Sequence, residues 1–146
     1  MSKLGVRAVI ENDGLYLLVR NKVSPDFWCL PGGGVESGED ILTAMERELL
    51  EELGIKPVIG NLLYVHMLKG DSGYDIPCFI FHIKNGVDFL AFDLAKTTHG
   101  KLELAEAKFM DVTITRLLPS FLKTELGELQ KGQFAEPTRV QLTDFE

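Results

Sequence analysis

The spacing of apolar residues divides the chain into elements before any chemistry is considered. Leu4 to Glu11 is mostly apolar and β-branched, which predicts a strand. Asn12-Asp13-Gly14 is a turn signal, and Leu15 to Arg20 predicts the returning arm of a hairpin. Asn21 to Phe27 is polar, contains Pro25 and predicts a loop, while Trp28-Cys29-Leu30 predicts a very short strand. In Pro31-Gly32-Gly33-Gly34 a rigid kink is followed by three residues free to take positive φ. The clearest helix runs from Asp40 to Leu53, where Ile41, Leu42, Met45, Leu49 and Leu53 recur every three or four positions. Ser37 with Asp40 three residues on predicts a capping box, Gly54 a C-terminal stop, and Pro57 a block to continuation.

Val58 to Leu68 predicts a further strand, Gly70-Asp71-Ser72-Gly73 a turn, and Ile76 to Ile83 a strand apolar on both faces and therefore central. Asn85 to Lys101 predicts a loop and Ala107 to Val112 a last strand. Thr113 or Thr115 is placed to cap a helix from Arg116 to about Leu126. The tail, Gly127 to Glu146, is mixed and turn-rich, and its role as cover for the core or part of an interface is open. Strands, helix, strands and helix around one core predict a single mixed α/β domain over residues 1–146.

Composition narrows the function classes. At 146 residues, with 45% hydrophobic and 25% charged residues, the chain can fold without a disulfide or structural metal. Cys29 and Cys78 form no Cys-x-x-Cys pair and read as buried free thiols of a reducing compartment. The N-terminus lacks a signal-peptide core and no apolar stretch reaches membrane-spanning length, so the cytoplasm is expected, without a membrane partner. The net charge of −7 argues against stable nucleic-acid binding. A small nucleotide remains compatible, because metal ions can stand between an acidic site and polyphosphate.

The helix carries the candidate chemistry. Glu48, Glu51 and Glu52 stand at i, i+3 and i+4 and share one face, with Arg47 in reach of Glu51. The apolar residues lie opposite, so this face is expected to point away from the core. Stacked like charges are tolerable when solvated, the commoner case, or when a hard divalent cation such as Mg²⁺ or Mn²⁺ neutralises them. The glycine run leads directly into this helix and lets backbone approach a ligand closely, which makes Gly33 and Gly34 candidate substrate contacts.

Gly33, Glu39, Arg47, Glu48, Leu49, Glu51, Glu52, Gly54 and Ile55 fit the pattern G-x5-E-x7-R-E-U-x-E-E-x-G-U, where U is bulky and apolar. On these residues the chain resembles the Nudix hydrolases, and the flanking strand pattern extends the likeness over Leu4 to about Leu126. The resemblance implies an αβα sandwich with a mixed sheet between helices. It implies metal-dependent hydrolysis of a phosphoanhydride in a nucleoside diphosphate linked to another moiety. It assigns Glu48, Glu51, Glu52 and the carbonyl of Gly32 to the metal, Mg²⁺ or Mn²⁺. Arg47 would orient the glutamates, and Glu39 and Gly54 would be structural. The general base is left open among Glu48, Glu52, Glu103 and Glu106. Relatives are often homodimers.

Substrate choice must come from elsewhere. Trp28 and Phe27 precede the glycine run and are candidates to stack on a base, though core packing suits them better. Tyr74, Arg20 and Lys22 are candidate ligand contacts, and Arg7 is a weaker one. His66, His82 and His99 are scattered without metal-ligand spacing. Tyr74 and Pro77 do not fit the offsets of subfamily signatures, so no subfamily is assigned. A catalytically silent nucleotide-binding or regulatory domain of the same fold is the alternative, disfavoured because every box glutamate is present.

Overall fold

The computed structural model describes residues 4–70, 73–74 and 77–144, with the side chains of Gly70 and Tyr74 outside that description. The expected turn at residues 70–73 and the expected strand start at Ile76 therefore fall partly outside the described residues. So does any ligand contact by the Tyr74 side chain.

The elements in chain order are β1 (Gly5–Val9), β2 (Glu11–Asn12), β3 (Leu15–Asn21), β4 (Gly32–Gly34), α1 (Ile41–Leu53), β5 (Ile59–Gly70), β6 (Gly73–Tyr74), β7 (Cys78–Ile83), α2 (Gly100–Glu103), β8 (Leu104–Met110), α3 (Leu122–Lys131) and β9 (Arg139–Asp144). One mixed sheet has the order β4-β1-β7-β5-β6, with β9 also paired to β5, and a second has the order β2-β3-β8. β1 runs parallel to β7, and β7 antiparallel to β5, which makes β7 central as its two-sided apolar pattern required. Alternation along the strands creates two cores. Val6, Ala8, Leu17, Val19, Phe81 and Ile83 pack with Met45, Leu49 and Leu53 of α1. Val9, Tyr16, Leu18 and Ile80 pack with Leu122, Leu126 and Leu129 of α3. Strands thus lie between helices, the αβα arrangement expected.

Several boundaries differ from expectation, each for a local reason. The predicted first strand breaks at Ile10 and its end joins the other sheet as β2. Trp28-Cys29-Leu30 makes only isolated bridges, Val19 to Cys29 and Trp28 to Leu117. The strand forms instead in the glycine run, antiparallel to β1 with Arg7 opposite Gly32. Of its three glycines only Gly32, at φ 148°, takes positive φ, and a side chain there would overlap the Val6 carbonyl. Asp40 itself caps α1, its carboxylate accepting from the Thr43 amide at 2.8 Å, while Glu39 turns back to the Glu36 amide. Ser37 is therefore not the cap. Gly54, at φ 75°, closes the helix as expected.

The loop from Asn85 to Lys101 contains two 3-10 turns, Gly86–Ala91 and Leu94–Lys96, and the start of α2. The second helix begins at Leu122 rather than Arg116. Pro119 supplies no amide and disfavours helical geometry at Leu118, and the Thr115 hydroxyl donates to the Asp111 carbonyl instead of capping. The tail completes α3, turns over residues 132–138 while burying Leu129 and Phe134 in the second core, and adds β9, parallel to β5 with Val140 opposite Val65. Among the described residues no helix is long and apolar enough to cross a membrane.

Urea denaturation tests the capping and helix assignments. Asp40→Ala should lower the midpoint while Ser37→Ala leaves it unchanged. Leu126→Ala, at a fully buried site in α3, should cost about 2–5 kcal/mol.

Candidate active site

The acidic face of α1 does not look out to solvent. It faces β4, and the side chains of Glu48 and Glu51 are only 13% and 26% exposed. Glu52 is buried, at 4% exposure. The glycines make this possible: a Cβ on Gly33 would come within 2.5 Å of the Glu48 carboxylate. The expected outward face is thus corrected to a narrow seam between helix and strand. The helical spacing grouped the glutamates rightly, but it could not show that a strand without side chains would lie over them.

Inside the seam the carboxylates have unequal surroundings. Glu52 accepts from the Gly32 amide at 3.2 Å. Burial nevertheless pushes its pKa up to about 8, with the neighbouring Glu48 adding to the rise and Arg7 opposing it. Burial also raises Glu48, against the pull of Arg47. The two carboxyls interact directly, which adds to the rise at Glu52 and opposes it at Glu48. Arg47 organises the outer side. It meets Glu39 through two bonds of 2.8 and 2.9 Å, Glu48 at 3.1 Å and Glu51 at 3.2 Å, and donates to the Gly34 carbonyl at 2.9 Å. Glu39 is held below the usual carboxylate range by the Arg47 hydrogen bonds. Its contacts are those of a brace.

His99 is a member of the cluster that sequence reasoning missed. Its Nδ1 lies 3.1 Å from Glu51 Oε2, and its amide donates to the Glu51 carbonyl at 3.0 Å. Gly100 sits against the Glu52 carbonyl, where a side chain would overlap. A lone histidine far along the chain carries no sequence signal of this approach. Glu103, on α2, is exposed. Glu106 pairs with Arg20 and Lys108, each at 3.4 Å. Neither has a recorded contact with the box carboxylates.

Beside the seam lies a cavity of about 570 Å³, lined by Phe27, Leu30, Ile80, Leu118 and both free thiols among others. Phe27 reaches it; Trp28 does not line it, and packs instead beneath Arg20 and Lys108, 5.7 and 5.4 Å from its ring centroid. Arg7, ranked low from sequence, lines the cavity and donates to the carbonyls of Leu30 at 3.0 Å and Gly32 at 3.4 Å. Lys22 is engaged with the Lys101 carbonyl at 3.1 Å.

Among the described residues no three carboxylate, imidazole or thiol groups converge as a finished ligand shell. The donor set still fits a hard divalent ion. Two neighbouring carboxylates, both disfavoured as anions by burial, present hard oxygen donors side by side. Mg²⁺ commonly takes one or two carboxylates and completes its shell with water and phosphate.

A family model described as NUDIX domain matches residues 1–133, and the chain belongs to the Nudix hydrolase family. Nucleoside triphosphatase NudI of Escherichia coli O139:H28 is 54% identical over 50 residues, covering 32% of this chain and 36% of the relative. NudI of Escherichia fergusonii is 49% identical over 58 residues, covering 37% and 41%. The chain thus matches well under half the length of these relatives. Among solved structures, a UDP-X diphosphatase aligns with TM-score 0.69 and 24% identity, covering 97% of this chain and 68% of that one. The E. coli ORF135 protein aligns with TM-score 0.67 and 26% identity, covering 92% and 96%.

The buried carboxyl gives a signed pH expectation for metal-free protein. Glu52 binds its proton more tightly folded than unfolded, so its contribution to stability is complete below its unfolded pKa. That contribution is lost as pH rises through about 8. In EDTA, the wild-type melting temperature should fall more steeply than that of Glu52→Gln between about pH 6 and about pH 9. Parallel curves would contradict this environment.

Proposed function

We propose that this chain hydrolyses a phosphoanhydride bond in a nucleoside triphosphate or other nucleoside diphosphate derivative, with Mg²⁺ or Mn²⁺ held at Glu48 and Glu52. The observation that carries the reading is the pair of adjoining carboxyls, Glu48 largely and Glu52 fully withdrawn from water under the glycine strand, beside a cavity large enough for a nucleoside. Glu51 and the Gly32 carbonyl complete the proposed metal set. NudI and UDP-X diphosphatase, named for nucleotide chemistry, support the substrate class without choosing within it.

The metal, when bound, supplies charge neutralisation for the phosphate oxygens and lowers the pKa of the attacking water. The residues supply everything else. Arg47 fixes the outer carboxylates and, through the Gly34 carbonyl, ties the glycine strand to α1. Gly33 leaves room for the Glu48 carboxylate against the strand. Glu52 and Glu48 are the candidate proton acceptors within the seam, and Glu106 is disfavoured by its pairing with Arg20 and Lys108. We place the activity in the cytoplasm, where the free Cys29 and Cys78 stay reduced.

A panel of nucleoside triphosphates, nucleotide sugars, ADP-ribose and dinucleoside polyphosphates, assayed in Mg²⁺ and again in Mn²⁺ with product identification, tests the reading. At least one substrate should turn over. Glu48→Gln and Glu52→Gln should each lower kcat by about 100-fold or more. Absence of turnover on the whole panel would leave a silent nucleotide-binding domain in its place.

A further inference from the structure

Arg7 is a cation without a contacting anion. Among the described residues no carboxylate oxygen lies within 4 Å of its guanidinium, although Glu52 and Glu48 are close enough to act on it through their field. Its recorded hydrogen bonds go to the carbonyls of Leu30 and Gly32, through Nη1, and to the Cys78 thiol. A guanidinium has five N–H donors, so these partners leave part of the fork unassigned. The side chain is withdrawn from bulk water and also lines the cavity, where it is the only lysine or arginine among the described lining residues. A charge in such surroundings is costly unless an anion meets it.

Its position defines which anion. Arg7 lies opposite Gly32, at the border between the cavity and the carboxylate seam. The neighbouring cavity wall is largely apolar, formed by residues such as Phe27, Leu30, Ile80 and Leu118. A nucleoside suits that wall, and its phosphate chain must leave past Arg7 to reach Glu48 and Glu52. A divalent cation between those glutamates would also take up the part of the offsetting field that Glu52 and Glu48 supply to Arg7. The guanidinium would then require a new anion, and a phosphate oxygen offers the matching planar, charge-assisted bonds.

We propose that Arg7 binds the phosphate attached directly to the nucleoside, so that the nucleoside fills the cavity and the next phosphate lies at the carboxylates. The proposal rests on the hydrolase reading above and deepens it. Affinity comes from the first phosphate and the nucleoside together, and cleavage is directed to the anhydride beyond them. Inorganic pyrophosphate, which lacks the part that fills the cavity, is a poor ligand.

Isothermal calorimetry in Mg²⁺ with the common nucleosides and their 5′-monophosphates tests this without turnover, since a monophosphate has no anhydride to cut. Wild type should bind at least one monophosphate about tenfold or more tightly than its nucleoside. Arg7→Met should abolish that gain while changing nucleoside affinity by less than about twofold. Arg7→Lys, which keeps the charge but not the fork, should keep part of the gain and serves if Arg7→Met does not fold. Phe27→Ala should weaken nucleoside and monophosphate by the same factor. A gain that survives Arg7→Met, an equal loss for both ligands in it, or no gain in wild type would overturn the proposal. Because the readout is binding, it fails independently of the turnover panel that tests hydrolysis.

Discussion

The close approach of the glycine strand to the acidic face of α1 is the constraint on which the site depends. Where a side chain would stand at position 33, the Glu48 carboxylate stands instead. Glu52 behind it is shut away from water and held by the Gly32 amide. Water would have screened these carboxylates on an ordinary helix surface, and their stacking would have been of little consequence. In the seam burial, with repulsion added to it, raises their affinity for a proton. The same property that makes the metal-free pair uneasy suits it to a divalent cation.

Holding the seam at that spacing requires both layers of the fold. On one side Met45, Leu49 and Leu53 anchor α1 to the first core, which fixes the rotation of the helix and so the direction of its glutamates. On the other, β4 is locked to β1 by antiparallel pairing. Arg47 then fastens one to the other, bonding the Gly34 carbonyl and three glutamates from a single guanidinium. At the far end of the helix, residues 99 and 100 press on the carbonyls of Glu51 and Glu52. The glutamates are thus positioned from the strand, from the helix and from the 99–100 segment, and no loop tip has to carry them.

Much of this was legible in the sequence because it is local. The 3.6-residue period located α1 almost to the residue, and fixed offsets placed Glu48, Glu51 and Glu52 together with Arg47. What failed was non-local. Periodicity separates two faces of a helix but does not say what covers the polar one, so the burial of Glu52 escaped notice. β9 alternates Val140 and Leu142 with polar residues over only a few positions and leaves both exposed, and its pairing with β5 joins residues more than seventy positions apart. His99 reaches Glu51 from a segment whose sequence reads only as a loop. The late start of α3 was a different kind of miss. Pro119 lay in plain view, and its effect on Leu118 should have outweighed the threonine cap.

Charge balance explains how an acidic protein of net charge −7 can accommodate polyphosphate. Net charge averages over a surface, whereas a ligand meets the charges within a Debye length, and in a dry seam it meets mainly those in contact. Here the contacting charges are arranged in series. Glu39 and Arg47 nearly compensate one another at the outer edge, with Glu51 between Arg47 and His99. Glu48 and Glu52 share the interior, where burial disfavours both charges. Arg7 follows at the border of the cavity, with no anion in contact among the described residues. In the proposed reading a metal ion and a phosphate chain would alternate in sign along the same path, metal against the glutamate pair and phosphate against the metal and Arg7. Each added charge then lands beside an opposite one already fixed by the backbone. The excess of glutamate over basic residues matters little to that sequence of contacts, because most of it lies elsewhere and is screened.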